Sequence, residues 1–199
     1  MQQSLAESAL IVFLRLPERG KVKTRIASTE GETNALMIYM ELLSITFKMV
    51  AQLDMPVYLF FEGGLPLESE RNTAYSYHLQ SGEDLGGKMA DAFSKVLQRQ
   101  SKAVLIGSDC PGLSPAIVKE AFNSLDQTDV VLGPASDGGY YLIGSKEVYP
   151  ALFEKITWST ASVLQETVEK IRQEKLSYRL LEQLTDVDTA EDWKDYTRT

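Results

Sequence analysis

Asp109 stands in the run AVLIGSDCPGLS, immediately beyond a short apolar stretch and two residues ahead of Pro111. A carboxylate at the exit of a buried strand, in a loop that a proline bends, suits a hard divalent cation such as Mg2+ or Mn2+, with phosphates and water completing its shell. Read locally, the same aspartate is a turn residue ahead of a helix at Ser114. Asp137 follows a second apolar run, in DVVLGPASDGGYYLIG. The glycines behind it, Gly138 and Gly139, let a ligand approach the backbone, and Tyr140 or Tyr141 could offer a flat face or a hydroxyl. A tight turn between strands accounts for the same residues. Asp186 and Asp188 alternate in DVDT, so both face one way if the segment is extended; helix capping is the other reading.

Cations are concentrated in one place. RLPERGKVKTR holds Arg15, Arg19, Lys21, Lys23 and Arg25 against Glu18 alone, on a chain whose net charge is −8. Pro17 and Gly20 exclude regular structure there and free backbone N–H groups. Charge-assisted hydrogen bonds from Lys23, Thr24 and Arg25 could then neutralise several phosphate oxygens together. The stretch is not a Walker loop, because no earlier glycine precedes Gly20 at the required spacing. A solvated basic turn is the plainer reading. Three carboxylate loops and one basic loop together describe a metal-assisted site for a nucleotide diphosphate or triphosphate.

The elements that must position these loops are legible in the hydropathy. Ala9 to Leu14, ALIVFL, is a continuous branched apolar run, as in a parallel strand buried on both faces. After the basic loop, Leu36, Met40, Leu43, Phe47 and Val50 recur at helical spacing from about Gly31 and predict a helix with that stripe in the core. PVYLFFE and YSYHLQ read as strands, the second carrying the lone histidine, His78, as a surface or packing residue. SGEDLGGKMADAFSKVLQRQ predicts a loop and a helix with Met89, Phe93 and Val96 inward. Trp158 to Lys175 predicts another helix, capped by Ser159 or Thr160, followed by the strand SYRLLE and a short helix capped by Thr189 with Asp192. Strands alternating with helices imply an α/β domain with a mostly parallel sheet covered on both faces. DVVLGP and YYLIG are too close for a crossover helix and are expected to be antiparallel or diverging.

Composition narrows the function classes. At 199 residues, 44% hydrophobic and 24% charged, the chain is expected to form one globular domain, 1–199, with 1–8 as a flexible N-terminus. Its acidity argues against nucleic acid or an anionic membrane as partner, and no apolar run reaches the length of a membrane span. MQQSLAES lacks the features of a signal peptide, so a cytoplasmic location is expected. One cysteine, Cys110, excludes an intramolecular disulfide and a multi-thiolate zinc site, and reads as a small packing residue.

Read together, FLRLPERGKVKTRIA, DLGGKM, IGSDCPGLSP, GPASDGGYYLIG, WST and DVDTAEDW resemble the bacterial DUF2064 family, over about residues 9 to 196. Members are often labelled glycosyltransferases and in some cases linked to arsenosugar biosynthesis. The resemblance implies the nucleotide-diphospho-sugar transferase fold, GT-A. It implies that the first strand and the loop Arg15, Pro17, Gly20, Lys23, Thr24 and Arg25 wrap the nucleotide, with Lys23 and Arg25 on phosphates. Gly86, Gly87 and Lys88 would lie at the nucleotide or its ribose. Asp109 and Asp188 would hold the metal, and Asp137, Gly138, Gly139 and Tyr140 would border the acceptor or sugar. Two departures from the family pattern are Arg15 in place of lysine and Lys88 in place of arginine, which lacks the two-pronged contact of a guanidinium. The Asp-x-Asp motif of many glycosyltransferases is reduced here to Gly107, Ser108, Asp109.

Three functions fit these residues. In glycosyl transfer, a nucleotide-sugar and a small acceptor react, with Asp137 and Asp109 as the catalytic carboxylates and Asp137 as the base of an inverting enzyme. In nucleotidyl transfer, a phosphorylated small molecule displaces pyrophosphate from a nucleoside triphosphate, a reading that the several cations of KVKTR favour. A nucleotide-binding protein without turnover is the third.

Overall fold

Strand β1 (Ser8–Arg15) is buried at every position except Arg15, and its neighbours explain why. It pairs in parallel with β2 (Val57–Glu62) on one side and β4 (Lys102–Ile106) on the other. Alternate side chains enter different cores. Leu10, Val12 and Leu14 pack in one cluster, Ala9, Ile11 and Phe13 in another, so every position from Ala9 to Leu14 is apolar. The computed structural model describes residues 7–198. Of the segment expected to be flexible, residues 1–6 lie outside the described residues, but Ser8 is a buried strand residue. Ser101 donates its backbone N–H and its hydroxyl to the Glu7 carbonyl, which ties that end to the sheet.

The sheet has seven strands in the order β3 (Tyr75–Leu79), β2, β1, β4, β6 (Tyr140–Ser145), β5 (Val130–Pro134), β7 (Tyr178–Leu180). All pairs are parallel except those made by β6, which runs antiparallel to both β4 and β5. The exit of β5 and the entry of β6 therefore lie at the same sheet edge as the exits of β1, β2 and β4. That edge collects the polar loops.

Helices α1 (Thr24–Glu30), α2 (Glu32–Val50), α3 (Leu85–Leu97), α4 (Pro115–Ser124), α5 (Val163–Gln173) and α6 (Ala190–Arg198) complete the domain. Helix α1 was not anticipated; the chain enters it directly from the basic loop through Lys23, which adopts a left-handed φ of 47°. The buried face of α2 also departs from the predicted stripe. Ala35, Tyr39, Leu42, Leu43, Thr46, Met49 and Val50 are buried, whereas Met40 is half exposed and Leu36 and Phe47 only partly covered. The rotation follows from Tyr39, whose hydroxyl accepts the Arg15 N–H at 2.8 Å and donates to the Arg15 carbonyl at 3.0 Å. Apolar spacing alone gave that tyrosine no weight.

Helix α5 is shorter than Trp158 to Lys175. Ser159 takes φ 63°, and the segment before Val163 is a turn. Neither Ser159 nor Thr160 caps the helix; instead Glu166 accepts the Thr157 N–H at 2.8 Å and the Ser162 hydroxyl at 2.5 Å. Caps elsewhere follow local sequence. Asp84 accepts the Gly87 N–H at 2.7 Å, and Thr189 with Asp192 makes the reciprocal box ahead of α6.

Gly86 sits where α3 meets the turn before α5. A Cβ there would lie 2.5 Å from the Phe153 carbonyl oxygen and 2.7 Å from the Trp158 ring. Gly86→Ala is accordingly expected to lower stability by about 2–3 kcal/mol through overpacking against backbone, read as the midpoint shift in urea unfolding.

Candidate functional site

The parallel strand exits open into one cavity of about 800 Å³, within the range of small-molecule sites. Arg15, Lys23, Thr24, Arg25, Lys88, Asp109, Asp137, Gly139, Tyr140 and Asp188 line it. The other expected residues do not. Pro17 and Gly20 shape the basic loop, Gly86 and Gly87 pack against Trp158 and Gly82, and Gly138 packs under the Ala161 carbonyl.

Lys23 is the centre of the site. Its side chain is only 5% exposed; the ammonium lies 2.8 Å from Asp109 Oδ1 and 3.6 Å from Asp188 Oδ1. It also donates to the Val187 carbonyl at 2.5 Å. One cation thus joins the basic loop, the exit of β4 and the segment before α6. Arg25 makes the outer contact, with Nη1 3.3 Å from Asp188 Oδ2. Lys23, expected on phosphates, is here directed at the carboxylates.

The segment Asp186–Asp188 explains its own spacing. Val187 is buried among Ile26, Ala35 and Leu42, and its N–H donates to the Asp109 carbonyl at 2.8 Å. With Val187 pointing into the core, the aspartates on either side border the cavity. Asp188 faces the cations. Asp186 faces Cys110, and its Oδ1 is buried with no hydrogen-bond partner among the described residues. Burial, then the charges of Asp109, Asp137 and Asp188, push its carboxyl up to about 7, although the Cys110 contact acts the other way. The sequence offered Asp186 through its alternation with Asp188, but only the fold shows how different their surroundings are. Burial pushes the Cys110 thiol up as well, with the Asp186 charge adding to it, so the thiol stays protonated and packs in the core.

A second ion cluster lies across β1. Glu62, at the end of β2, pairs with Arg15 at 2.7 Å and with Lys88 at 2.5 Å. The Lys88 hydrogen bond is the largest influence holding the Glu62 carboxyl below its usual range. The remaining cations of the basic loop are engaged locally, Arg19 with Glu32 at 3.2 Å and Lys21 with Glu18 at 2.5 Å. Glu62 had no signal in the sequence beyond its place after an apolar run.

On the far wall, the Gly139 N–H donates to Asp137 Oδ1 at 2.9 Å, which fixes the carboxylate in its turn. Tyr140 presents its ring, but its hydroxyl is buried with Thr167 beside it. Tyr141 is a packing residue whose hydroxyl donates to the Glu182 carbonyl at 2.9 Å. His78 lies elsewhere, against Phe60 and Tyr58 with ring centroids 4.8 and 5.9 Å away.

Among the described residues no three His, Cys, Asp or Glu side chains are gathered to hold a metal ion. Asp109 and Asp188, each about two-fifths exposed, could offer oxygen ligands to a hard ion that takes one or two protein carboxylates and completes its shell from phosphates and water, with the Lys23 ammonium competing for the same oxygens.

Residues 45–160 match the model of a family described as an uncharacterized protein conserved in bacteria, DUF2064. The chain is a member of the DUF2064 family. A solved structure from Desulfovibrio desulfuricans, named as a candidate nucleotide-diphospho-sugar transferase, is 35% identical and superposes with a TM-score of 0.90. The alignment covers 97% of this chain and 87% of that one. Two more distant structures share the fold of this DUF2064 protein. They are the inositol-1-phosphate CTP transferase of T. maritima (14% identity, TM-score 0.64, covering 98% and 95%) and Rv0371C of Mycobacterium tuberculosis in complex with manganese (15%, 0.60, 98% and 99%). No curated protein matches its sequence significantly. The DUF2064 chain thus has the fold of nucleotide-utilising transferases, and no helix among its described residues is long and apolar enough to cross a membrane.

Two outcomes test these ion clusters. Lys23→Met leaves Asp109 and Asp188 facing each other without their cation, and is expected to cost about 1–3 kcal/mol, less than a fully buried pair because both carboxylates are partly solvated. Denaturant unfolding with and without magnesium would check it; the deficit should shrink when the ion is present. Glu62→Gln should cost up to about 1 kcal/mol at pH 7, since the pair is one-third exposed and screened. Glu62 has a depressed folded value, so its contribution is present above the unfolded 4.5 and is lost as pH falls through the folded value. The stabilities of the two proteins should therefore converge as the pH is lowered below 4.5.

Proposed function

We propose that this protein is a glycosyltransferase, moving a sugar from a nucleotide-diphospho-sugar to a small acceptor with a divalent metal ion. The observation that carries the reading is the joining of Lys23, Arg25, Asp109 and Asp188 at one sheet edge, in a cavity that Asp137 also lines. Asp109 and Asp188 would hold the ion, Mg2+ or Mn2+, which when bound neutralises the departing diphosphate. A manganese complex is known for the distant structure from M. tuberculosis, which agrees with this choice. Lys23 orients the two carboxylates, and Arg25 and Arg15 supply charge-assisted hydrogen bonds to phosphate oxygens. Asp137, held by the Gly139 N–H, is positioned to accept the proton of an acceptor hydroxyl, as an inverting reaction requires.

Arg19 and Lys21 pair at the surface with Glu32 and Glu18, so the loop offers a triphosphate fewer unpaired cations than its sequence suggests. Nucleotidyl transfer nevertheless occurs on this fold in the CTP transferase of T. maritima, so it is the competing outcome of the assay. The protein would be incubated with magnesium or manganese, nucleotide-sugars, nucleoside triphosphates and pooled small acceptors. Acceptor-dependent release of a nucleoside diphosphate supports glycosyl transfer; pyrophosphate release replaces it with nucleotidyl transfer. Binding without turnover on any acceptor would point to a non-catalytic role. In the active assay Asp109→Asn is expected to lower kcat by at least about 100-fold with unchanged circular dichroism, while stability falls by about 1–3 kcal/mol because Lys23 loses its nearest carboxylate. Full activity in that variant would remove Asp109 from the metal.

A further inference from the structure

The turn between the strand sheet and α5, Trp158 to Ala161, lines the same cavity as Asp137 but has no part in the charge clusters described above. Three observations single it out. Ser159 holds a left-handed φ of 63° without being glycine, and its side chain is exposed at the cavity lining with no hydrogen bond to another described residue. Trp158 Nε1 is buried without a partner among the described residues. The turn is nevertheless braced on every side. Glu166 takes the Thr157 N–H and the Ser162 hydroxyl, Thr160 Oγ1 donates to the Thr157 carbonyl at 2.7 Å, and the Leu164 N–H donates to the Gly138 carbonyl at 2.9 Å. The indole is wedged against Gly86. A strained residue held this firmly, with its polar group unused, is a pattern of binding sites rather than of loops that merely connect.

The chemistry of the wall limits what it can bind. From Asp137 to Val163 the cavity lining offers a carboxylate, the hydroxyls of Ser159 and Thr160, the ring of Tyr140 and no cation. All four lining cations, Arg15, Lys23, Arg25 and Lys88, stand instead at the exit of β1, at and just before the start of α1, and in the first turn of α3. A phosphate beside Asp137 would meet its carboxylate with no cation from this stretch of the lining to neutralise it. A group bearing several hydroxyls would donate to Asp137 and accept from Ser159.

We propose that Trp158–Ala161 is the subsite for the uncharged polyhydroxylated part of a substrate, with Ser159 as its specificity-determining contact and Trp158 as the residue that positions the turn. The proposal rests on the reading of this protein as a nucleotide-dependent transferase. That part is either the sugar of the donor or a sugar-like acceptor, two sources with the same chemistry.

Ser159→Ala, Ser159→Gly and Trp158→Phe would be compared with the unaltered protein by isothermal titration in magnesium. The probes are UDP with UDP-glucose, GDP with GDP-mannose and ADP with ADP-glucose. Glucose and myo-inositol would then be added to the protein saturated with whichever diphosphate binds. Each variant is expected to bind the diphosphate within about twofold of the unaltered protein, while losing about fivefold to tenfold in affinity for a hydroxyl-bearing probe, the effect of one hydrogen bond. Loss on a nucleotide-sugar assigns the subsite to the donor, and loss on the free polyol assigns it to the acceptor. Ser159→Gly relieves the left-handed strain, so a merely structural turn would show raised stability and unchanged affinities; that result overturns the proposal. Equal loss on diphosphate and sugar overturns it too. If the unaltered protein binds no nucleotide at all, the transferase reading fails first and takes the subsite with it.

Discussion

A single buried ammonium holds this site together. Lys23 is nearly inaccessible to water, yet its charge is compensated by Asp109 from the exit of β4, by Asp188 from the segment before α6 and by the Val187 carbonyl. A buried lysine charge is tolerated only with such partners, and the partners in turn would repel one another without it. Segments more than 160 residues apart in sequence are thereby fixed in one arrangement. The left-handed backbone at Lys23 belongs to the same solution, because it turns the chain out of the basic loop and into α1 while the side chain reaches inward.

The antiparallel strand β6 sets the other half of the geometry. Had β5 and β6 been joined by a crossover helix, as parallel neighbours must be, the entry of β6 and with it Tyr140 would have lain at the opposite edge of the sheet. Instead a short turn returns the chain at the edge where β1 and β4 end, so Asp137, Gly139 and Tyr140 line the same cavity as the Lys23 cluster. Gly138 allows the turn before α5 to close over it, and Glu166 holds that turn. Cations and carboxylates from several elements thus line one cavity, most of them paired with one another.

Charge in this protein is also more evenly compensated than its distribution along the chain suggests. The basic loop has a local excess of cations, but Arg19 and Lys21 meet Glu32 and Glu18, and Arg15 shares Glu62 with Lys88. Those partners come partly from α2, β2 and α3, which linear spacing cannot relate to the loop. The ligand-facing positive charge is correspondingly smaller than the sequence count.

Local patterns were sufficient for the strands, for most helices and for the loops that carry Asp109, Asp137 and Asp188, because continuous apolar runs, glycines, prolines and caps act over a few residues. The Thr189–Asp192 box, the β5–β6 pairing and the family resemblance were all legible in this way. Tertiary structure decided the rest. The inward face of α2 follows from the reach of Tyr39 to Arg15, the short α5 from the clamp of Glu166, and the contrast between Asp186 and Asp188 from which neighbour each meets. Sequence by itself determined which groups are available at one edge of an α/β sheet. Only the fold decided which of them are paired, buried or left open, because Coulombic and hydrogen-bond energies depend on distance and solvent access, and spacing along the chain encodes neither.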